Sequence, residues 1–255
     1  MSDHPTGSKS PVDGSAAKAL RGGQTPRSTE VQPSSAEDIA AFVSRARAMS
    51  PYAPGAPGRL IFALDATMSR QPTWDMACQL QADMFHEAAS LGHLQIRLVY
   101  YRGHHECRAS RWIADSAQLS KLMSTIDCRG GNTQIGKVLS EARREAAASG
   151  VRAVVFVGDA MEERVDDLCV TAGELGLLKV PVFLFQEGRD AEAEQAFREI
   201  ARLTGGAWCR FDPGAAAQLK DLLRAAAAYA AGGREGLIRL SSTAPGAALL
   251  LSRMS

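Results

Sequence analysis

The sequence lacks the patterns of disulfide-linked, zinc-ribbon and membrane-spanning proteins. Its five cysteines are an odd number, lie far apart and include no C-x-x-C pair, which argues against a disulfide framework and a zinc ribbon. No run of about 18 apolar residues occurs, as a transmembrane helix would need. Residues 1–35 hold no apolar stretch of the roughly 7–15 residues found in secretory signals. We therefore expect free thiols and a cytoplasmic location.

An excess of charge of either sign is also missing. Lysine and arginine number 29 and aspartate and glutamate 28, so the formal net charge is +1. This balance gives no reason to expect a nucleic acid or a membrane as partner. At about 100–200 residues per domain, a chain of 255 residues predicts one large domain, or a medium domain with tails.

Composition divides the chain into four segments. Residues 1–35 contain 7 Ser, 4 Gly and 4 Pro but no aromatic residue, which is typical of a disordered tail. Residues 36–58 predict a short helix followed by a Pro/Gly linker. Residues 59–230 predict the folded domain, and residues 231–255 a C-terminal tail. We expect the apolar stretch of this tail to fold back on the domain or to form a weak partner helix, rather than enter a membrane.

Strands and helices alternate through the predicted domain. Residues 60–64 and 153–157 are apolar throughout, which is typical of strands buried on both faces of a sheet. The strand around Cys107 is more polar, and we expect it to pair antiparallel at one edge. The last predicted helix begins at residue 215 and ends at Gly232 and Gly233. The pattern predicts an α/β fold, doubly wound and Rossmann-like, with a mostly parallel sheet.

Oxygen-bearing side chains follow the apolar strands. Asp65, Thr67 and Ser69 come at the end of the first, Asp159 comes after the other, and Thr133 follows a Gly-Gly-Asn turn. In open α/β sheets, ligands bind beyond the carboxyl ends of the strands, where the strand order reverses. Two carboxylates and three hydroxyls suit a hard cation, Mg²⁺ or Mn²⁺. An ion held this way keeps an open position, which favours an acidic residue of a partner protein.

The arrangement resembles the von Willebrand factor A domain, whose metal-ion-dependent adhesion site combines D-x-S-x-S with a distant Thr and a distant Asp. Here these positions are Asp65, Thr67, Ser69, Thr133 and Asp159, within a resemblance that covers roughly residues 59–229. It implies a sheet of the von Willebrand A type and a protein-binding module. It also implies that the hydroxyls contact the metal and that the aspartates act partly through water. Thr67 stands in place of the usual Ser and keeps the hydroxyl.

Several alternatives stay open. One is a Mg²⁺-dependent hydrolase or phosphotransferase, which would need a base or nucleophile beyond the metal ligands. Another is a metal-free scaffold. Gly131, Gly136 and Lys137 match most of a phosphate-binding loop, but Val138 replaces its final hydroxyl. The acids at 162, 163, 166 and 167 are interpreted as N-terminal charges of the next helix. Partner identity and oligomeric state are left undetermined.

Overall fold

The computed structural model of the chain describes residues 57–89 and 93–254, so the predicted tail and nearly all of the predicted helix and linker lie outside the described residues. Within them, neighbouring strands form one sheet in the order β3-β2-β1-β4-β5-β6. All pairs are parallel except β2 with β3, so the expected antiparallel edge strand around Cys107 is confirmed. The strands are β1 (Gly58–Asp65), β2 (Leu94–Arg102), β3 (Glu106–Ala109), β4 (Ala153–Gly158), β5 (Val182–Glu187) and β6 (Ala207–Phe211).

Helices cover both faces of this sheet, which makes the fold the doubly wound α/β type that the sequence predicts. A short 3-10 turn, Met68–Arg70, leads from β1 into the first helix. The helices are α1 (Gln71–Ala89), α2 (Ser116–Met123), α3 (Ile135–Ser149), α4 (Val165–Leu177), α5 (Ala191–Thr204), α6 (Ala216–Ser241) and α7 (Pro245–Arg253).

Two apolar layers hold the helices to the sheet. Because successive side chains of a strand point to opposite faces, Leu60 and Phe62 pack with α1, α6 and α7, whereas Ile61 and Ala63 pack with α3, α4 and α5. The side chains of β4 alternate between the two layers in the same way. This explains why the central strands are apolar at every position rather than at every second one.

The strand order reverses between β1 and β4. From β1 the chain turns to β2 on one side, and it later returns to place β4 on the other side. Leu64 pairs in register with Val157, so Asp65 and Asp159 leave the sheet at the same end of neighbouring strands. This is the place where open α/β sheets leave a crevice for ligands.

The last predicted helix is interrupted where the sequence predicts its end. Gly233 (φ 62°, ψ −158°) has non-helical backbone and kinks α6 into two helical stretches, the second of which continues to Ser241. Glycine tolerates this left-handed φ, and the chain resumes its helix because Leu237 and Leu240 bury an apolar face beyond the kink. The next helix, α7, is anchored by buried Ala247 and Leu250. No helix among the described residues is both long and apolar enough to span a membrane.

Candidate functional site

The loop after β1 turns its polar side chains back on itself. The Asp65 carboxylate accepts a hydrogen bond from the Thr67 backbone N–H at 2.7 Å, and the hydroxyls of Thr67 and Ser69 lie 3.3 Å apart. The Arg70 N–H donates to the Thr67 carbonyl, which closes the 3-10 turn. Asp65 and Thr67 are buried, whereas Ser69 is exposed. The loop therefore carries oxygen-bearing side chains from the buried end of the strand out to solvent.

Asp159 lies beside this loop and acts on it electrostatically. Its side chain is 32% exposed, so it forms the solvent side of the site. Burial raises the pKa of Asp65 above its ordinary value, and the negative charge of Asp159 raises it further. Hydrogen bonds from Thr67 and the charge of Arg70 oppose the shift without reversing it. The net shift means that the folded protein disfavours the Asp65 carboxylate in the absence of added positive charge.

Thr133 is held in place by the loop that follows β4. Its hydroxyl accepts the Glu162 N–H at 3.0 Å, while its own N–H donates to the Glu162 carboxylate at 3.2 Å. The loop before α3, which carries Thr133, needs a glycine at 131, because a Cβ there would lie 2.0 Å from the Gly103 carbonyl oxygen. Thr133 is thereby tied to the strand end that carries Asp159.

Glu163 stabilises the start of a different helix from the one that the sequence predicts. The Glu163 carboxylate accepts the N–H groups of Ile135 at 2.5 Å and Gly136 at 2.9 Å, at the start of α3. A carboxylate at a helix N-terminus is favourable because it meets unpaired N–H groups and the positive end of the helix dipole. It also takes donors that a phosphate-binding loop would offer to its ligand.

Arg70 and Glu187 are residues of this site that the sequence analysis misses. The Arg70 side chain is 4% exposed, and its guanidinium pairs with the Glu187 carboxylate, 117 residues away in the chain. Glu187 also accepts the Thr73 hydroxyl. The second carboxylate near Arg70 is that of Asp159, at 3.8 Å. Nothing local in the sequence signals this contact, since only the fold brings the ends of β1 and β5 together.

The chemical type of the ligand atoms at this site suits a small hard cation. They are hydroxyl and carboxylate oxygens, the ligands that Mg²⁺ and Mn²⁺ prefer. Adjacent ligands of an octahedral Mg²⁺ lie about 2.9 Å apart, so the Thr67 and Ser69 oxygens, at 3.3 Å, would close up slightly. Among the described residues, no three His, Cys, Asp or Glu side chains are grouped to hold a metal without the hydroxyls. Any ion here would depend on Ser and Thr.

Comparison with known proteins bears on the fold. No protein-family model matches the chain, and no curated protein does so either. Similar solved structures include an aerotolerance-related membrane protein from Bacteroides fragilis, with 17% identity, a TM-score of 0.52, and coverage of 66% of this chain and 98% of that one. Proximal thread matrix protein 1 from the mussel byssus matches with 16% identity and a TM-score of 0.50, over 66% of this chain and 46% of that one.

A third similar structure is the SpRpn10 VWA domain. It shares 11% identity over 63% of this chain and 90% of that one, and its TM-score of 0.49 carries no argument by itself. Identities this low establish a shared fold only. The chain therefore shares an α/β fold with the aerotolerance-related protein and with proximal thread matrix protein 1.

Proposed function

We propose that this protein is a divalent-metal-dependent binding module that recognises an acidic residue of a partner protein. The ion would be Mg²⁺ or Mn²⁺, held by Asp65, Thr67, Ser69, Thr133 and Asp159. One observation carries the proposal: Asp65 and Asp159 leave neighbouring strands at the point where the strand order reverses, with hydroxyl groups beside them. A crevice at this point is where α/β sheets bind ligands.

The charge of the site supports an acidic ligand. Glu187 already balances Arg70, so Asp65 and Asp159 remain to offset the two charges of the ion. Hydroxyl ligands add no charge, and the ion keeps its attraction for a further carboxylate. Asp65 is buried and its pKa is raised, so a cation would relieve the cost of keeping that carboxylate ionised.

The surface beside the site suits contact with a protein. Met68, in the turn between two of the proposed ligands, is 61% exposed. A large apolar side chain in solvent costs free energy that a partner would recover by covering it. Ser69, in the loop after β1, and Asp159, in the loop after β4, both reach solvent. A carboxylate could therefore approach the ion from this side.

Metal binding is tested first, with Mn²⁺ as the probe. Wild-type protein should bind Mn²⁺ in calorimetry and melt at a higher temperature with it, since a ligand at a hundred times its Kd stabilises the native state by about 2.7 kcal/mol. Asp65→Ala should abolish both effects. Asp167→Ala removes an exposed acid from the first turn of α4 and should leave both unchanged.

Partner recognition is tested separately by capture from native lysate, with and without EDTA. Partners that need the ion should be lost with EDTA, with Asp65→Ala and with Thr133→Ala. If Asp65→Ala protein still captured the same partners in EDTA, the metal bridge would be refuted even if Mn²⁺ bound. Turnover of phosphate esters by the purified protein would instead favour the hydrolase alternative.

A metal-free scaffold is the second candidate, and the Arg70 contact favours it. A buried guanidinium already places one positive charge near Asp159 and against Glu187, which lessens the need for an ion. On this reading the melting temperature would not respond to Mg²⁺, Mn²⁺ or EDTA, because nothing would bind the native state selectively. Partner capture would then persist in EDTA.

A further inference from the structure

Arginines surround Trp208 on β6, at the far edge of the sheet from β3. The guanidinium carbon of Arg198 lies 4.0 Å from the centre of the indole ring. Those of Arg210 and Arg253 lie 5.4 and 5.5 Å from the same point. The residues come from α5, β6 and α7, so only the docking of the C-terminal helix completes the group. We call Arg198, Arg202, Trp208, Arg210 and Arg253 the arginine cluster.

Carboxylates neutralise only part of this cluster. Glu194 is shared between Arg198, at 2.9 Å, and Arg210. Glu199 pairs with Arg202 at 2.5 Å. Arg253 pairs with no carboxylate within residues 57–89 and 93–254, and it donates instead to the Trp208 carbonyl at 2.9 Å. Four guanidinium groups thus face two carboxylates, and their mutual repulsion leaves a local demand for negative charge.

The cluster also lines an open cavity at the surface. A cavity of about 390 Å³ is lined by Arg198, Ala201, Arg202, Trp208 and Arg253. Arg202 and Arg253 stand in the last turns of their helices, where the helix dipole favours a cation. The dipole explains why each arginine suits its own helix. It does not explain why arginines of separate elements converge on one indole and one cavity.

A second basic groove, between α3 and β3, differs in its charge balance. It is larger, about 820 Å³, and also lined by arginines. There Glu141 holds Arg97 and Arg144, each at 2.7 Å, and Glu174 holds Arg143 at 2.5 Å. Glu145 adds a further carboxylate beside Arg97 and Arg144. The arginines of this groove are therefore largely neutralised by the protein itself, unlike those of the arginine cluster.

We propose that the arginine cluster binds a phosphate monoester. A guanidinium fork donates two parallel hydrogen bonds to oxyanions such as phosphate, and the lining arginines offer several such forks around one small cavity. A phosphate monoester carries close to two negative charges at neutral pH, which matches the excess of two positive charges over the carboxylates of the cluster. The indole provides an apolar wall for the atoms next to the ester oxygen. This site is separate from the proposed metal site and does not depend on it.

The test is calorimetric titration of the full chain at low ionic strength with three probes. These are inorganic phosphate, a short phosphoserine peptide and adenosine monophosphate, which distinguish a free ion, a modified protein and a nucleotide as sources. At least one should bind, and Arg202→Gln should weaken it about tenfold or more, since a hydrogen bond to a charged group contributes about 1.5–3 kcal/mol. Arg202 is exposed and paired on its own helix, so its loss should not unfold the protein.

Arg144→Gln is the matched control. Arg144 is equally exposed and pairs with a glutamate three residues away on its own helix, as Arg202 does, but it lies in the second groove. The proposal requires binding that is lost with Arg202→Gln and kept with Arg144→Gln. It is overturned if no probe binds at millimolar concentration, if both variants weaken binding equally, or if the unphosphorylated peptide binds as tightly as its phosphorylated form.

Discussion

The Arg70–Glu187 pair offers the sharpest test of how the site is held. Glu187→Gln keeps the size of the side chain and an oxygen that can accept the Thr73 hydroxyl, but it removes the charge that faces Arg70. Both side chains of the pair are nearly fully buried. Breaking a buried ion pair by removing one partner costs about 3–5 kcal/mol, because the other charge is left uncompensated. Asp159 remains at 3.8 Å, so we expect the lower end, about 3 kcal/mol.

This loss is measured by urea and thermal unfolding at pH 7 in EDTA. At roughly 2–4 °C per kcal/mol for a domain of this size, the melting temperature should fall by about 6–12 °C. The double variant Arg70→Met/Glu187→Gln removes both charges and should recover much of the stability, since replacing a whole buried pair is often neutral. A loss below about 1 kcal/mol in the single variant, or no recovery in the double variant, would show that the ion pair does not stabilise the fold.

Two further predictions concern the loop and the core. Gly131→Ala should lower the free energy of unfolding by about 1–3 kcal/mol, because the added Cβ would meet the Gly103 carbonyl. The same variant should weaken Mn²⁺ binding, because it displaces Thr133. Gly130→Ala is the control and should have neither effect, since its Cβ meets nothing within 4 Å. Burial raises the pKa of the Cys209 thiol from 9.0 to about 11, against the opposing charge of Arg253. The unfolded thiol ionises first, so the free energy of unfolding should fall between about pH 9 and 11, by up to about 3 kcal/mol for this group. In urea unfolding at pH 8 and 10.5, Cys209→Ala should show a smaller fall than wild type, and an equal fall would contradict the assignment.

The layered sheet could be predicted because its signal is local. The apolar runs that become β1 and β4 alternate between two cores, and the polar strand at Cys107 pairs at the edge as expected. The break in α6 could also be predicted, because Gly233 stands where its helical backbone is interrupted. The helical stretch beyond it could not, because that stretch depends on the burial of Leu237 and Leu240 against the rest of the domain.

Some residues of the candidate site could be predicted from the sequence, and others could not. Asp65, Thr67 and Ser69 were found from their spacing at a strand end, and their role as metal ligands remains a prediction. The local sequence does not indicate Arg70, because its partner, Glu187, is the last residue of another strand far along the chain. The sequence predicts that Glu163 stabilises the helix that follows it, α4, but in the structure it accepts hydrogen bonds at the start of α3. Contacts between distant segments follow from the strand order, which no short window of sequence contains.

The position of α7 has a consequence for how the protein behaves in concentrated solution. β6 is the last strand of the sheet, and an outermost strand offers backbone groups to which a second chain can add. Arg253 occupies the Trp208 carbonyl on this strand, and the charged arginines nearby repel another copy that approaches. Arg253→Gln would remove this charge while the buried Ala247 and Leu250 keep α7 in place. We expect this variant to self-associate through β6 at concentrations where the unchanged chain stays monodisperse in light scattering.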